Sequence, residues 1–259
     1  MMTSPRRVPF IRGFYWISEG FQLVFQSPFG WMKVITLWFA FTLLCSMIIA
    51  IGPILFSLML PILFAGLMVG CRAIENGQSM TAGHLFAGFR NKPARLITLG
   101  GINVLGELIL TTILLIWGGQ RMIELQTLSM DGTGNLEQLQ VLVSDLTPMF
   151  ITLALIQVVL LMLGWFAPAL LVFSDMTTAR ALSLSGKACL INTLPFLAYT
   201  VGMGALLMAL VTTAFAVPML GILLFMMGIP TIIAAVYASY RDIFSEVIDL
   251  EDSRWTRVE

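Results

Sequence analysis

One carboxylate stands in the middle of a long apolar run, where it could do chemistry. Glu107 lies within 96–118, and Asn103 and Thr111 lie one helical turn to either side of it on the same stripe. An ionised carboxylate is costly inside a bilayer, so Glu107 is expected to face protein or water. Gln157, inside a later apolar run, is a candidate neighbour. Glu107 either carries protons or binds cations, or it is a neutral acid bonded to Asn103, Gln157 or backbone.

Other reactive side chains are few. His84 is the only histidine, so a catalytic triad or a multi-histidine metal site cannot be built within one chain. A structural role at the interface, as helix cap or headgroup contact, is expected for it. Cys45, Cys71 and Cys189 form no close pair and are predicted to be buried thiols. The 17 methionines are read as core filler. No cofactor, metal or catalytic residue is predicted, and the chain is interpreted as a non-enzyme.

The composition indicates the class of protein that must position these residues. The chain is 58% hydrophobic and 11% charged, with a mean hydropathy of +0.94, against a charged share of about 25% in soluble domains. That balance is typical of a polytopic membrane protein. Fourteen basic and fourteen acidic residues cancel, and nucleic-acid binding has no support. The opening MMTSPRRVPF lacks the features of a cleaved signal peptide and is expected to be retained.

The pattern of apolar runs predicts an all-α fold in a single membrane domain, 1–259, with six transmembrane helices. The predicted spans are 31–51, 53–71, 96–118, 148–173, 194–216 and 218–240. Amphipathic interfacial helices are predicted at 10–28, 80–90 and 175–189, either flat on lipid or folded under the bundle. The polar stretch 120–147 keeps helical periodicity and predicts a periplasmic hairpin; 241–259 is predicted as a cytoplasmic tail.

Two sets of residues suggest contacts for these helices. Gly66 and Gly70 have the spacing of a close helix contact and are predicted to pack on a neighbour. A second set is basic and lies at the predicted ends of spans, where the side chains would contact anionic lipid headgroups or act only as a topology signal. Its members are Arg72, Arg90, Lys92 and Arg95.

The placement of charge predicts orientation. With six spans, 13 of the 14 Lys and Arg residues fall on one side, and Arg121 stands alone on the other. By the positive-inside rule, both termini are predicted to be cytoplasmic. Three stretches of the chain on that side share one order of elements: an amphipathic helix, a break, and a span that leads away from that side. This repeat predicts three tandem units in the same orientation. Secondary transporters commonly use inverted repeats instead.

Several motifs carry a resemblance over nearly the whole chain. They are Gly66-Leu67-Met68, Cys71-Arg72-Ala73, Gly77, the run HLFAGFR from His84, and the closing YASYRDIF from Tyr237. With them the chain resembles an uncharacterised family of proteobacterial six-helix inner-membrane proteins, a domain of unknown function. The resemblance implies a location in the bacterial cytoplasmic (inner) membrane. It implies no activity, cofactor or catalytic residue.

Three interpretations of function follow. The first is a non-enzymatic scaffold or accessory subunit that contacts membrane lipids or other inner-membrane proteins. The second is a small-solute or ion transporter or channel, which requires the polar stripe around Glu107 to line a midplane cavity. The third, a membrane enzyme acting on lipid, lacks an evident catalytic set. The scaffold is preferred to the transporter.

Overall fold

The computed structural model describes residues 4–49, 51–131 and 136–244, apart from some side chains in 129–136 and 218–225. The described residues are almost entirely helical. The helices are α1 Arg12–Gln26, α2 Pro28–Ser46, α3 Ile51–Glu75, α4 Ala82–Leu85, α5 Ala87–Arg90, α6 Pro93–Ile113, α7 Gly119–Asp131, α8 Leu136–Gly164, α9 Ala167–Phe173, α10 Thr178–Ile191, α11 Thr193–Ala216 and α12 Pro218–Ile243. One π-helical segment, Leu114–Gly118, joins α6 to α7. The all-α prediction is confirmed for these residues.

Within the described residues, five helical stretches are long and apolar enough to cross a membrane. They are Pro28–Ser46, Ile51–Glu75, Pro93–Leu128, Glu137–Phe173 and Thr193–Ala216. The sixth predicted span coincides with α12, whose side chains near its start are partly outside the described set. Six spans, three tandem units and the orientation therefore stay predictions.

The apolar windows of four of these stretches bury only 11–22% of their residues, whereas α3 buries 56%. Apolar side chains that face lipid need no cover from other helices, so low burial is expected along a span. The core instead lies at one end of the molecule, called here the packed end. Its buried side chains come chiefly from α1 and from 62–74, 166–171, 181–189 and 233–244.

The first amphipathic helix belongs to the packed end. Glycines let α1 approach its neighbours closely: a Cβ on Gly13 would lie 2.1 Å from the Pro195 carbonyl, and one on Gly20 would lie 2.6 Å from the Ala235 amide nitrogen. Trp16, between them, is fully buried. The aromatic side chains of the other face are exposed, namely Phe10, Phe14, Phe21 and Phe25. α1 therefore packs against α11 and α12 with one face and leaves its aromatic face exposed.

Two predicted elements are interrupted. The segment 80–90 forms two four-residue helices, α4 and α5, which pack on α3 rather than making one helix. The fourth predicted span, 148–173, breaks after Gly164, and α9 follows as a separate buried helix. Ser185 stabilises this break, because its hydroxyl accepts from the Phe166 N–H at 2.9 Å and donates to the Met162 carbonyl at 2.7 Å.

The predicted hairpin corresponds to α7 and the first part of α8. An ion pair at 3.3 Å between Arg121 and Asp145 joins the two helices, which places them side by side. The tip, 132–135, and the predicted tail beyond 244 lie outside the described residues.

Candidate functional site

The two ends of the described chain meet at the packed end. The Arg6 amide donates to the Ile243 carbonyl at 3.0 Å. Asn192, fully buried between α10 and α11, holds the same N-terminal segment: its Oδ1 accepts from the Val8 amide at 2.9 Å, and its Nδ2 donates to the Arg6 carbonyl at 3.0 Å. The segment before α1 is thus bonded to α12 and to the residue that joins α10 to α11, both much later in the chain.

Asp242 is the centre of an ionic cluster at this junction. Its carboxylate accepts from Arg6 Nη2 and from Arg12 Nε, each at 2.5 Å, and from Trp16 Nε1 at 3.0 Å. The Asp242 side chain is only 6% exposed, while those of Arg6 and Arg12 are 51% and 28% exposed. A buried carboxylate is stable only when donors surround it, and here the first helix and the segment before it supply all three.

The cluster continues through Glu19 and Glu75. Glu19 accepts from Arg12 Nη2 at 2.8 Å and from Arg241 Nη2 at 2.7 Å. Arg241 also pairs with Glu75 at the end of α3, and the Tyr237 hydroxyl donates to the same carboxylate at 2.6 Å. Charge-assisted bonds of this kind connect α1, α3 and α12 in one network.

Charged groups of the cluster shift one another's pKa values. Burial disfavours the charged form of Asp242, but bonds from Trp16, Arg12 and Arg6 outweigh it and hold the pKa of this carboxyl below its ordinary value. Burial likewise disfavours the cation of Arg12, and the hydrogen bond and charge of Asp242 raise the pKa of Arg12 above its ordinary value. Both groups are therefore ionised near neutral pH.

Each carboxylate of the ionic cluster is paired with an arginine. Asp242, Glu19 and Glu75 each accept from at least one arginine, so none offers an uncompensated general base. Within the described ranges, no group of three His, Cys, Asp or Glu side chains is placed to hold a metal ion. What this geometry does is join the two ends of the described part of the chain to each other and to the end of α3.

The predicted polar stripe lies on the outside of the bundle. Glu107 is exposed on α6, as are Thr111 on the same helix and Gln157 on α8, while Asn103 is half-buried. The side-chain partner of Glu107 is the buried Ser57 of α3, whose hydroxyl donates to Oε1 at 2.9 Å. In the described part of the chain, no hydrogen bond joins the members of the stripe to one another.

The four predicted headgroup residues divide into three settings. Arg72 lies over the Phe173 ring, with the guanidinium carbon 5.2 Å from the ring centroid. Lys92 and Arg95 both face Asp175, at 3.7 and 2.5 Å. Arg90 is exposed at the end of α5.

The remaining predicted residues lie where α3 meets 80–85. A Cβ on Gly66 would lie 2.4 Å from the carbonyl oxygens of His84 and Leu85, and one on Gly70 would lie 2.3 Å from the Met80 methyl group. His84 is a helix cap: its Nδ1 accepts from the Thr81 amide at 3.0 Å. Burial lowers the pKa of His84, which favours the neutral ring that this bond requires.

Sequence reasoning missed Asp242, Glu19, Glu75 and Asn192, although a signal was present. Tyr237, Tyr240 and Phe244 share a helical face in the motif YASYRDIF, which marks a buried surface, and Asp242 falls inside that segment. An acid held within such a segment requires a cationic partner. Only the fold shows that the partner comes from the N-terminal arginines.

Comparison with known proteins agrees with the membrane assignment. A protein of Burkholderia thailandensis named as a probable inner membrane protein is 27% identical over 256 residues, which cover 90% of each chain. No protein-family model and no solved structure gives a significant match. The likeness is consistent with an uncharacterised family of membrane proteins. With the five apolar helices, it supports the conclusion that the chain is an integral membrane protein.

Proposed function

We propose that the chain is a non-enzymatic scaffold or accessory subunit of the bacterial inner membrane, with both termini in the cytoplasm. In this proposal the outer face of α6 receives a transmembrane helix of another membrane protein, and the basic ends of the spans contact lipid. The exposed position of Glu107 carries the proposal. It lies within an apolar span and is bordered by Leu105, Leu108 and Ile109, which are 61%, 52% and 56% exposed.

A carboxyl group in that position needs hydrogen-bonding partners in addition to the Ser57 hydroxyl. A charged group at the centre of a bilayer costs about 2.5–3.5 kcal/mol on insertion scales, and even a neutral acid has hydrogen-bonding capacity left after one bond. A partner helix with a Lys, Arg or amide side chain at the same depth would supply the missing donor. The ionic cluster supports the non-enzymatic part of the proposal. Its carboxylates are paired with arginines, so they stabilise the fold and none of them is free to act as a general base.

The alternative is a small-solute or ion transporter. It requires Asn103, Glu107 and Gln157 to converge on a shared cavity, and the outward positions of Glu107 and Gln157 favour a contact surface instead. One observation favours the transporter: the hydrogen bond from Ser57 to Glu107 places a polar pair between two spans.

A photo-crosslinking amino acid at Leu108, beside Glu107, tests the proposal in native membranes. An adduct of defined mass is expected in wild type and in Glu107→Gln, which keeps a hydrogen-bonding side chain, and is expected to disappear in Glu107→Leu. The fold should tolerate the leucine, since the Ser57 hydroxyl can bond a carbonyl of its own helix. The matched control is the same probe at Val201, 59% exposed on α11.

Equal adducts from Leu108 and Val201, or an adduct that persists in Glu107→Leu, would contradict the contact on α6. Absence of any adduct, together with cation or proton flux in liposomes that Glu107→Gln reduces, would replace the scaffold by the transporter.

A further inference from the structure

Two candidate membrane spans end at the same place. The start of Pro93–Leu128 lies beside the end of Glu137–Phe173, and residues at these two ends are bonded together. Lys92 Nζ donates to the Ser174 carbonyl at 2.9 Å, and Arg95 Nη1 donates to the Met176 carbonyl at 3.0 Å. The Thr178 hydroxyl in turn donates to the Arg95 carbonyl at 3.2 Å. In a bilayer this junction lies at the level where chain ends leave the hydrocarbon.

The junction carries an excess of positive charge. We define the basic patch as Arg90, Lys92, Arg95 and Arg180, of which Arg180 lies in the first turn of α10, two residues after Thr178. Asp175 is the carboxylate that faces it; the bond from Arg95, and the charges of Arg95 and Lys92, lower the pKa of Asp175 below its ordinary value. The junction thus carries four cations and one anion, and only Lys92 and Arg95 pair with that anion. Arg90 and Arg180 are exposed, and within the described ranges no carboxylate pairs with either.

The backbone at Lys92 is unusual. Its φ of 56° puts a lysine in the left-handed region that favours glycine, directly before Pro93. Strain of this kind persists only where surrounding contacts hold it. Here the bond to the Ser174 carbonyl holds the ammonium group within the patch.

Apolar side chains border the cations. Phe86 and Phe89 are 44% and 41% exposed, with their ring centroids 6.3 Å apart, and Ile97 on the first turns of α6 is 41% exposed. Cations beside exposed aromatic and aliphatic groups match a molecule with a phosphate at one end and hydrocarbon at the other. A free phosphate would use only the first of these two features.

We propose that the basic patch is a binding site for an anionic phospholipid, with the phosphate held by Arg90, Lys92, Arg95 and Arg180 and the acyl chains against Phe86, Phe89 and Ile97. This inference rests on the lipid-contacting part of the proposed function and deepens it by naming the lipid and the site. It does not require the partner helix on α6.

The test uses the purified full chain and two double variants. Arg90→Gln with Arg180→Gln removes the two exposed cations and leaves the bonds of Lys92 and Arg95 in place. Lys187→Gln with Arg121→Gln removes two exposed cations elsewhere. Native mass spectrometry then measures retention of phosphatidylglycerol and phosphatidylcholine, and inorganic phosphate is added as a competitor.

Wild type is expected to retain phosphatidylglycerol in preference to phosphatidylcholine. A juxtamembrane cation contributes roughly fivefold in affinity, so the patch variant should bind phosphatidylglycerol on the order of 25-fold more weakly. The control variant should bind it as wild type does. Millimolar phosphate should not displace it, because the acyl chains contribute to binding.

Equal retention of the two lipids, or equal loss in the patch and control variants, would overturn the site. Displacement by inorganic phosphate would overturn its assignment to lipid. These results are separable from the Leu108 crosslink, which reports only on α6, so either proposal can fail while the other stands. Lys92→Gly is a second variant that relieves the positive-φ strain, and it too is expected to lower phosphatidylglycerol retention, by about fivefold.

Discussion

Arg12 and Asp242 are separated by 230 positions in the sequence, yet Arg12 Nε donates to Asp242 Oδ2 at 2.5 Å. This bond joins α1 to the end of α12, and it is possible because Gly13 and Gly20 let α1 lie directly against α11 and α12. The carboxylate is nearly buried, and the arginine is part of the network that reaches Glu75 on α3. The stability of the fold should therefore depend on this junction.

Asp242→Asn is expected to lower the free energy of unfolding by about 3 kcal/mol. Removing one partner of a buried pair costs roughly 3–5 kcal/mol, and the partial exposure of Arg6 and Arg12 favours the lower limit. Thermal unfolding of the purified protein in lipid nanodiscs measures this change. Glu124→Gln, which removes an exposed pair with Arg121, serves as control and should stay within about 0.5 kcal/mol. Similar losses in both variants would argue against a special role for the junction.

The same carboxylate predicts a pH dependence. Because the pKa of Asp242 is lowered in the folded protein, its contribution is present above the ordinary value of about 3.9 and is lost as the pH falls through the folded value. Wild type should therefore lose stability more steeply than Asp242→Asn as the pH falls below about 4. Parallel acid unfolding curves for the two proteins, followed by tryptophan fluorescence, would contradict this.

Gly66→Ala is expected to destabilise the protein by about 1–3 kcal/mol, since its methyl group would press on the backbone carbonyls of His84 and Leu85 and the segment would have to move. Gly101→Ala is the matched change on α6, where the added methyl group meets nothing within 4 Å. Alanine there should be neutral or stabilising by up to about 1 kcal/mol. Thermal unfolding of the two variants separates close packing from helix propensity, and a stabilised Gly66→Ala would refute the contact.

Asn192→Leu is expected to release the segment before α1. The amide of Val8 and the carbonyl of Arg6 would lose their partners, so hydrogen exchange at Val8 should become at least tenfold faster while exchange in the middle of α11 stays unchanged. Asn76→Leu, in an exposed turn after α3, is the control and should leave Val8 protected. Unchanged exchange at Val8 in Asn192→Leu would mean that other contacts hold the segment.

The proposed orientation is accessible to cysteine labelling. Cys45, Cys71 and Cys189 are buried, and burial raises the pKa of Cys189 to about 12, so the native thiols should react little with a maleimide. An introduced Gln78→Cys, between α3 and α4, should react with a membrane-impermeant maleimide only after the cells are opened. Glu124→Cys in α7 should react in intact cells. The opposite pattern would reverse the proposed orientation.

Much of the helical pattern follows from local chemistry and was predictable. Pro28 and Pro93 begin helices at positions where a missing N–H costs nothing, and long apolar runs can satisfy their backbone groups in lipid only as helices. The break after Gly164 was not predictable in this way, because it depends on Ser185, 19 residues further on, to bond the Phe166 amide. Periodicity does not report such a distant partner.

The candidate sites likewise contain some residues that the sequence alone could identify and others that depend on the fold. Glu107 could be singled out from the sequence because a carboxylate within an apolar run is unusual whatever the fold. Its partner Ser57 could not, since hydroxyl groups are common in membrane helices and their neighbours depend on how two helices cross. Helical periodicity left open whether α1 lies flat on lipid or folds under the bundle. In the fold, Gly13, Trp16 and Gly20 make a close surface for α11 and α12, and the aromatic face is exposed.

Hydropathy and helical periodicity are enough to identify this chain as a helical membrane protein, because both depend only on neighbouring residues. Only the packing of the helices brings Arg6, Arg12 and Asp242 into one cluster and leaves Glu107 facing outward. An ion pair across 230 positions, or the side of a bundle to which one residue points, is set by the packing of helices from distant parts of the chain.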